Sequence, residues 1–372
     1  MTRIAAEAGD RMVVKVGTAS LVGPSGEPED DRLAALCDGI ADLKRSGVDV
    51  ILVSSGAIGA GIGPLGLTER PTDIPSLQAA AAVGQGRLLG RYTRLLKERD
   101  SVGAQMLLTG YDFMQRHHYL NARNTLDRLL SLGAVPIVNE NDTVAVDEIA
   151  FGDNDRLAAL VGNLARAKLL VLLTDTKGVH ATDPRHDPDA PVIDEIDRIT
   201  PELERAAGGR GSALSSGGMA SKLAAAWVAT FSGVAVVVAD ASEPDVLTRI
   251  AKGERVGTFF HPHPKRASAR LLWIAFAHPP RGTVVVDPGA RAAVVRDKRS
   301  LLPVGVVEVK GSFESGDIVD LAVGSKEVFA RGLVRYSSTE LKEARGRRTV
   351  ELAGREVIHR DHLIILEDAG DE

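Results

Sequence analysis

The residues able to do chemistry in this sequence gather in six short segments. Lys15 opens KVGTAS, with Gly17 two residues on. Ser54, Ser55 and Gly56 open SSGAIGAG. Asn139, Glu140, Asn141 and Asp142 run in succession, and Gly152–Asp155 reads GDND. Thr174 and Asp175 follow LLVLL, and Gly217–Lys222 reads GGMASK. Glycine turns offer bare backbone N–H groups to phosphate oxygens, and helix N-termini add partial positive charge. Lys15 and Lys222 bring two cations, and Asp155 is a carboxylate able to hold both ammonium groups. Asn139, Asp142 and Asn154 supply the donors and acceptors that a small zwitterion needs. No histidine or cysteine occurs in any of the six, which leaves neither a zinc cage nor a nucleophilic dyad there.

Taken singly, each segment has a plain structural role. A glycine turn after a strand is usually only a turn, Ser54, Ser55, Asp153, Asn154 or Asp155 would cap a following helix, and a lone lysine is a solvated charge. Their shared position along the chain is what tells. Strand candidates are Met12–Val16, Val48–Val53, Val102–Leu108, Ala134–Val138, Ala167–Leu173 and Val234–Val238. Amphipathic helical patterns run over Asp31–Ser46, Ser76–Glu98, Asn121–Leu132, Asp155–Leu164 and Met219–Phe231. Unbroken apolar runs such as VDVILV and AKLLVLLT mark strands buried on both faces. Their alternation with helices predicts an α/β fold, a mostly parallel sheet sandwiched by helices. All six segments fall at strand ends or helix starts, the edge where such sheets bind ligands.

After about Phe260 the rhythm changes. HPHPKRASAR and the prolines before Gly282 predict a linker over 263–280, dividing a 1–262 α/β domain from a 281–372 module. That module shows short strand candidates at Thr283–Val286, Val304–Lys310, Asp317–Leu321, Val328–Val334 and Leu363–Leu366, with no long helical pattern, and reads as a small all-β barrel.

Composition sets limits. The 372 residues are 44% hydrophobic and 26% charged, ordinary for a globular chain with a real core. A formal net charge of −5 argues against a protein devoted to coating nucleic acid. Cys37 is the single cysteine, in the helical setting LAALCDGI, and fits an inert packed residue. No apolar leader and no membrane-spanning run is evident, so the expected location is the cytoplasm. Gly61–Gly66 matches G-x-G-x-x-G, but Pro64 and Pro71 interrupt the helix a dinucleotide site needs, and no G-x-x-x-x-G-K-[ST] is present.

The motifs VVKVGT, VSSGAIGAG, AAVGQGRL, QMLLT, LNARNTL, PIVNENDTV, GDNDRLAALV, LLTDTKGV, ATDPR, SGGMASK and GTFFHP, in this order, resemble the amino acid kinase superfamily. LLPVGV and a G-x-F-x-x-GD pattern in the tail resemble a PUA domain. KVGT and TDTKG point only to the superfamily. NEND with GDND and the PUA-like tail select its glutamate 5-kinase family over kinases of N-acetylglutamate, aspartate, uridylate or carbamate. The resemblance implies ATP-dependent phosphorylation of the γ-carboxylate of L-glutamate, the first step of proline synthesis.

It also implies roles. Lys15 and Lys222 flank the transferring phosphoryl group and Asp155 orients both. Ser55, Asn139, Asp142 and Asn154 hold glutamate. Lys15, Gly17, Thr174, Asp175, Ser216, Gly217, Gly218, Met219, Ala220, Ser221 and Lys222 contact ATP, with Mg²⁺ held by phosphate oxygens and water rather than by a protein cage. Where the family usually reads TGGMxTK, this chain reads SGGMASK, which keeps the hydroxyls at 216 and 221. Feedback by proline, a homo-oligomer (dimer or tetramer) and a reductase partner for the product belong to the same expectation. PUA folds bind RNA in many other proteins, and Arg345, Arg347 and Arg348 form a basic cluster. Charges nearly balance across 281–372, however, and RNA is not the expected partner. The rival readings are a related kinase for another acid, and a regulatory RNA-binding protein with an inactive kinase domain.

Overall fold

The computed structural model describes residues 3–22, 28–145, 154–182, 187, 189–197, 199, 203, 218–263, 280–324, 327–347 and 355–366. The chain divides into two compact units, Met1–Ala267 and Ser268–Glu372. The predicted linker over 263–280 lies almost wholly outside the described residues. Among the described residues no helix is long and apolar enough to cross a membrane.

In the first unit β1 (Arg11–Val16), β2 (Asp49–Ser54), β3 (Val102–Leu108), β4 (Ala134–Glu140), β5 (Leu169–Thr174), β6 (Glu195–Ile196), β7 (Ala235–Asp240) and β8 (Thr258–Phe260) form one sheet, ordered β3-β4-β2-β1-β5-β7-β8-β6. Every pairing is parallel except β7 with β8. The helices are α1 (Thr18–Leu21), α2 (Asp30–Arg45), α3 (Ala57–Ile62), α4 (Ile74–Lys97), α5 (Gly110–Met114), α6 (Arg116–Ser131), α7 (Asn154–Ala165), α8 (Met219–Phe231) and α9 (Val246–Ala251). β4 and β5 are buried along their whole length, as their unbroken apolar runs require when helices cover both faces.

Register brings the functional ends together. Val16 pairs with Ser54 on one side and Leu173 on the other, and Thr174 pairs with Asp240. Ser54, Asn139, Glu140 and Thr174 are therefore the last residues of strands rather than loop residues after them. Helix α6 begins at Arg116, earlier than the predicted Asn121, because its first turn is polar and exposed and carries no apolar stripe.

One close contact fixes the loop after β2. Gly56 sits at φ +108°, a left-handed conformation that glycine adopts without steric cost, and turns the chain into α3. Helix α3 then lies backbone-to-backbone on α4. A Cβ on Gly61 would stand 1.9 Å from the Ala80 carbonyl oxygen, and one on Gly84 would stand 1.8 Å from that of Ala57. Gly84→Ala must push the two helices apart. We expect a loss of about 1–3 kcal/mol in stability, the scale of core overpacking, read as a lower denaturation midpoint. A midpoint equal to the parent's would contradict this packing.

The second unit holds β9 (Gly282–Val286), β10 (Val306–Gly311), β11 (Ile318–Val323), β12 (Glu327–Leu333) and β13 (Leu363–Ile365), ordered β10-β9-β11-β12-β13. Only β9 with β11 is parallel. Its core is separate, built on Val284, Val319, Leu321 and Phe329. Among the described residues two short helices accompany the sheet, α10 (Pro288–Val295) and α11 (Ser338–Ala344). Asp287 caps α10 with proline in its first turn, and Ser337 with Glu340 forms a capping box on α11.

Candidate active site

At the carboxyl edge of the larger sheet lies a cavity of about 520 Å³. Lys15, Gly17, Ser55, Asn139, Asp142, Asn154, Thr174, Asp175 and Lys222 all line it. Asp155 lies beneath them with no exposed surface. Gly218, Met219, Ala220 and Ser221 are half-buried where α8 begins but do not line this cavity. Ser216, Gly217, Gly152 and Asp153 lie outside the described residues, as does the stretch 204–217.

The floor of the cavity is a three-residue ionic group. Lys15 comes from a central strand and is 2% exposed, and Lys222 comes from the first turn of α8 and is 5% exposed. Asp155 stands in the first turn of α7. Its Oδ1 pairs with Lys15, and its Oδ2 accepts from Lys222 Nζ at 3.3 Å. Helices α7 and α8 pack together, which brings both N-terminal ends to the same point. A carboxylate at a helix N-terminus is favoured by the helix dipole, while a lysine there is not, so Asp155 also offsets the unfavourable placement of Lys222. Two ammonium groups meeting one carboxylate place positive charge at the cavity surface, where an anionic group can be received.

A polar frame stands beside this floor. Asn154 Nδ2 donates to the Ser54 carbonyl oxygen and to Asn139 Oδ1, both at 2.7 Å. Asn139 Nδ2 donates to Gln85 Oε1 at 2.5 Å, and the Glu140 backbone N–H donates to Asn139 Oδ1 at 2.9 Å. Ser54 Oγ meets the Tyr92 hydroxyl at 2.9 Å. The Asn154 amide thus gives both its hydrogens to the Ser54 carbonyl and Asn139, and the residue lines the cavity.

Asp142 is half-buried on the cavity wall. Burial pushes its carboxyl above the usual carboxylate range, and the positive charge of Arg70 partly offsets this. On the opposite side, Thr174 Oγ1 donates to Asp175 Oδ1 at 3.1 Å. Cys37 is fully buried, and burial pushes its thiol up to about 12, so it takes no part in chemistry at neutral pH.

Several residues of the site escape a reading by spacing. Gln85 and Tyr92 lie on α4 and buttress Asn139 and Ser54. The motif AAVGQGRL already contains Gln85, so its signal is present in the sequence. Arg70 and Gln78 line the cavity from a proline-flanked loop and an ordinary amphipathic helix, where nothing in the residue pattern distinguishes them.

Sequence comparison names the class that this fold and cavity define. Residues 10–240 match the amino acid kinase family, and residues 282–354 match the PUA domain. Curated relatives align along nearly the whole chain. The glutamate 5-kinase of Geobacter sp. (strain M21) is 45% identical over 96% of this chain and 97% of its own. That of Thermobifida fusca is 47% identical over 96% and 93%, and that of Gloeobacter violaceus 49% identical over 95% and 99%. The chain belongs to the glutamate 5-kinases within the amino acid kinase family.

Proposed function

We propose that the chain transfers the γ-phosphoryl group of ATP to the side-chain carboxylate of L-glutamate, giving glutamyl 5-phosphate and ADP as the first step of proline synthesis. The observation that carries this reading is the buried Lys15–Asp155–Lys222 group at the floor of the cavity. Identity of 43–49% to curated glutamate 5-kinases along the chain supports the choice of substrate.

The chemistry follows from charge. The acceptor carboxylate has an ordinary pKa of about 4.3, so it is already anionic at neutral pH and needs no general base. Its oxygen attacks the γ-phosphorus, the bond from that phosphorus to the β,γ-bridging oxygen breaks, and ADP leaves with the electron pair. The obstacle is repulsion between an anion and a triphosphate. Lys15 and Lys222 lower it by facing the charge on the transferring group, and Asp155 holds them there before substrate arrives. Such preorganisation in a water-poor site does more than the same charges in solvent.

ATP occupies the side of the cavity bearing Gly17, Thr174, Asp175 and Lys222, continuing to the start of α8 at Gly218, Met219, Ala220 and Ser221. Mg²⁺ accompanies the nucleotide. The Asp175 carboxylate on the wall is the kind of hard oxygen donor such an ion takes, and phosphate oxygens and water supply the remaining ligands. When bound, the ion neutralises charge on the phosphates. Glutamate occupies the side bearing Ser55 and Asp142, with Asn139 and Asn154 as its frame.

Asp142 carries the contact to the substrate ammonium in this reading. Asp142→Ala is expected to raise the glutamate KM about 10-fold or more, on the scale of a lost charge-assisted hydrogen bond, with the ATP KM nearly unchanged. Equal rises in both would place Asp142 in support of the lysines or the fold.

The proposal extends to the product and the assembly. An acyl phosphate with a free amine on the third carbon from the acyl carbon closes a five-membered lactam on its own, so a reductase that consumes it must take it promptly. Edge strand β3 and its surroundings expose Val102 (69%) and Leu132 (63%), apolar surface that suits a homo-oligomer. Proline acts as a feedback inhibitor, and a cytoplasmic setting fits the pathway. RNA has no part in this reading.

The test is to incubate the purified chain with ATP, Mg²⁺ and hydroxylamine, comparing glutamate, N-acetylglutamate and aspartate. Hydroxamate from glutamate alone is the expected result. Hydroxamate from another acid would replace the substrate and keep the mechanism. None from any acid, with folded protein, would favour the regulatory reading.

A further inference from the structure

We propose that Arg70 receives the α-carboxylate of the acceptor and so selects an amino acid whose α-carboxylate is free. The assignment rests on the glutamate reaction proposed above. A bound glutamate presents three charges. Its γ-carboxylate faces the lysines, and its ammonium faces Asp142. The α-carboxylate remains, next to the ammonium, and Asp142 would repel it unless a cation stood close by.

Among the described residues, three cationic side chains line the cavity: Lys15, Lys222 and Arg70. The first two are buried and engaged by Asp155. Arg70 is different. It is exposed, on the segment between α3 and α4, and among the described residues its guanidinium makes no hydrogen bond or ion pair. It lies near enough to Asp142 for its charge to act on that carboxyl. A guanidinium beside a carboxylate on one cavity wall is the complement of an amino acid head group, whose ammonium and carboxylate share one carbon. Ile74 and Leu77 line the same cavity and offer apolar surface to the methylenes between the two ends of the ligand.

The fork of a guanidinium donates two parallel hydrogen bonds to a carboxylate. An amide in that place loses one acceptor, presents N–H groups towards the cation and carries no charge. Discrimination between an acid and its amide at that position therefore reports on Arg70 and not on the lysines. Because Arg70 is exposed and makes no hydrogen bond or ion pair among the described residues, its replacement leaves the fold intact.

The experiment measures kcat and KM by ADP release for L-glutamate and for its α-amide, in the parent enzyme, in Arg70→Gln and in Arg70→Lys. The parent prefers glutamate. In Arg70→Gln the glutamate KM rises about 10- to 100-fold, the scale of one charged hydrogen-bonded contact. The ATP KM stays unchanged, and the two acceptors approach parity. Arg70→Lys restores part of the preference. A preference for glutamate undiminished in Arg70→Gln would overturn the assignment, as would a rise confined to the ATP KM. Absence of glutamate turnover in the parent itself would overturn the reaction and this assignment together, whereas an active parent with an unaltered variant would overturn the assignment alone.

Discussion

Lys222→Ala and Lys15→Ala each lower kcat by about 10²–10³-fold, the scale of one preorganised charge-stabilising group. Both ammonium groups are buried beneath the cavity and held by one carboxylate, so neither is screened by solvent and neither has to be ordered as the reaction proceeds. Their contribution is made where charge moves from the acceptor carboxylate to the β,γ-bridging oxygen, so the loss falls on kcat as well as kcat/KM. In either variant Asp155 keeps the other lysine, so the fold is retained. Arginine at position 222 does not rescue the activity, because a planar guanidinium cannot occupy the place of a compact ammonium. Steady-state rates at saturating ATP and glutamate provide the check. Turnover close to the parent's in either alanine variant would remove that lysine from the catalytic group.

Asp155→Ala strikes the fold as well as the reaction. It removes the carboxylate that both buried lysines meet. Breaking a buried ion pair from one side costs about 3–5 kcal/mol, because the remaining charge is uncompensated. The helix that begins at Asn154 also loses the acidic residue in its first turn. The denaturation midpoint is expected to fall further than in either lysine variant, and activity to fall at least as far. Asp155→Asn keeps the shape and part of the hydrogen bonding, so it should recover stability more than rate. An Asp155→Ala protein as stable as the parent would mean that the carboxylate does not anchor the lysines.

The parallel sheet was legible because a strand covered on both faces has to be apolar throughout, as LLVLLT and VILV are. The ends of elements were less so. Strand β4 runs on through Asn139 and Glu140 because those polar groups find partners inside the protein, which no hydrophobic pattern records. Helix α3 was hidden for the opposite reason: AIGAGI reads as a glycine-rich loop, yet its glycine is there so that α4 can approach. The short helices α10 and α11 lack the length for a periodic signal, and only their caps, Asp287 and the Ser337–Glu340 box, announce them.

The site divides in the same way. Lysines, glycines and amides at strand ends were visible from type and position. The joining of Lys15 and Lys222 through Asp155 depends on two helices packing side by side, and spacing along the chain says nothing of that. The roles given to these residues came with the family resemblance, and the geometry adds which atoms meet. Arg70 gave no signal at all, since an exposed arginine in a loop is the commonest of surface features until the fold sets it on the wall of a cavity.

The central claim is that the side-chain carboxylate of glutamate itself attacks the γ-phosphorus. It is tested most directly with glutamate carrying ¹⁸O in that carboxylate, ATP of ordinary isotopic content, and hydroxylamine to trap the product. Hydroxylamine attacks the acyl carbon and expels phosphate with the bridging oxygen. The account predicts that the released phosphate carries one ¹⁸O atom, seen as an isotope shift in its ³¹P resonance, in amount equal to the hydroxamate formed. Phosphate without the label would show that water had taken the phosphoryl group, and would contradict the assignment.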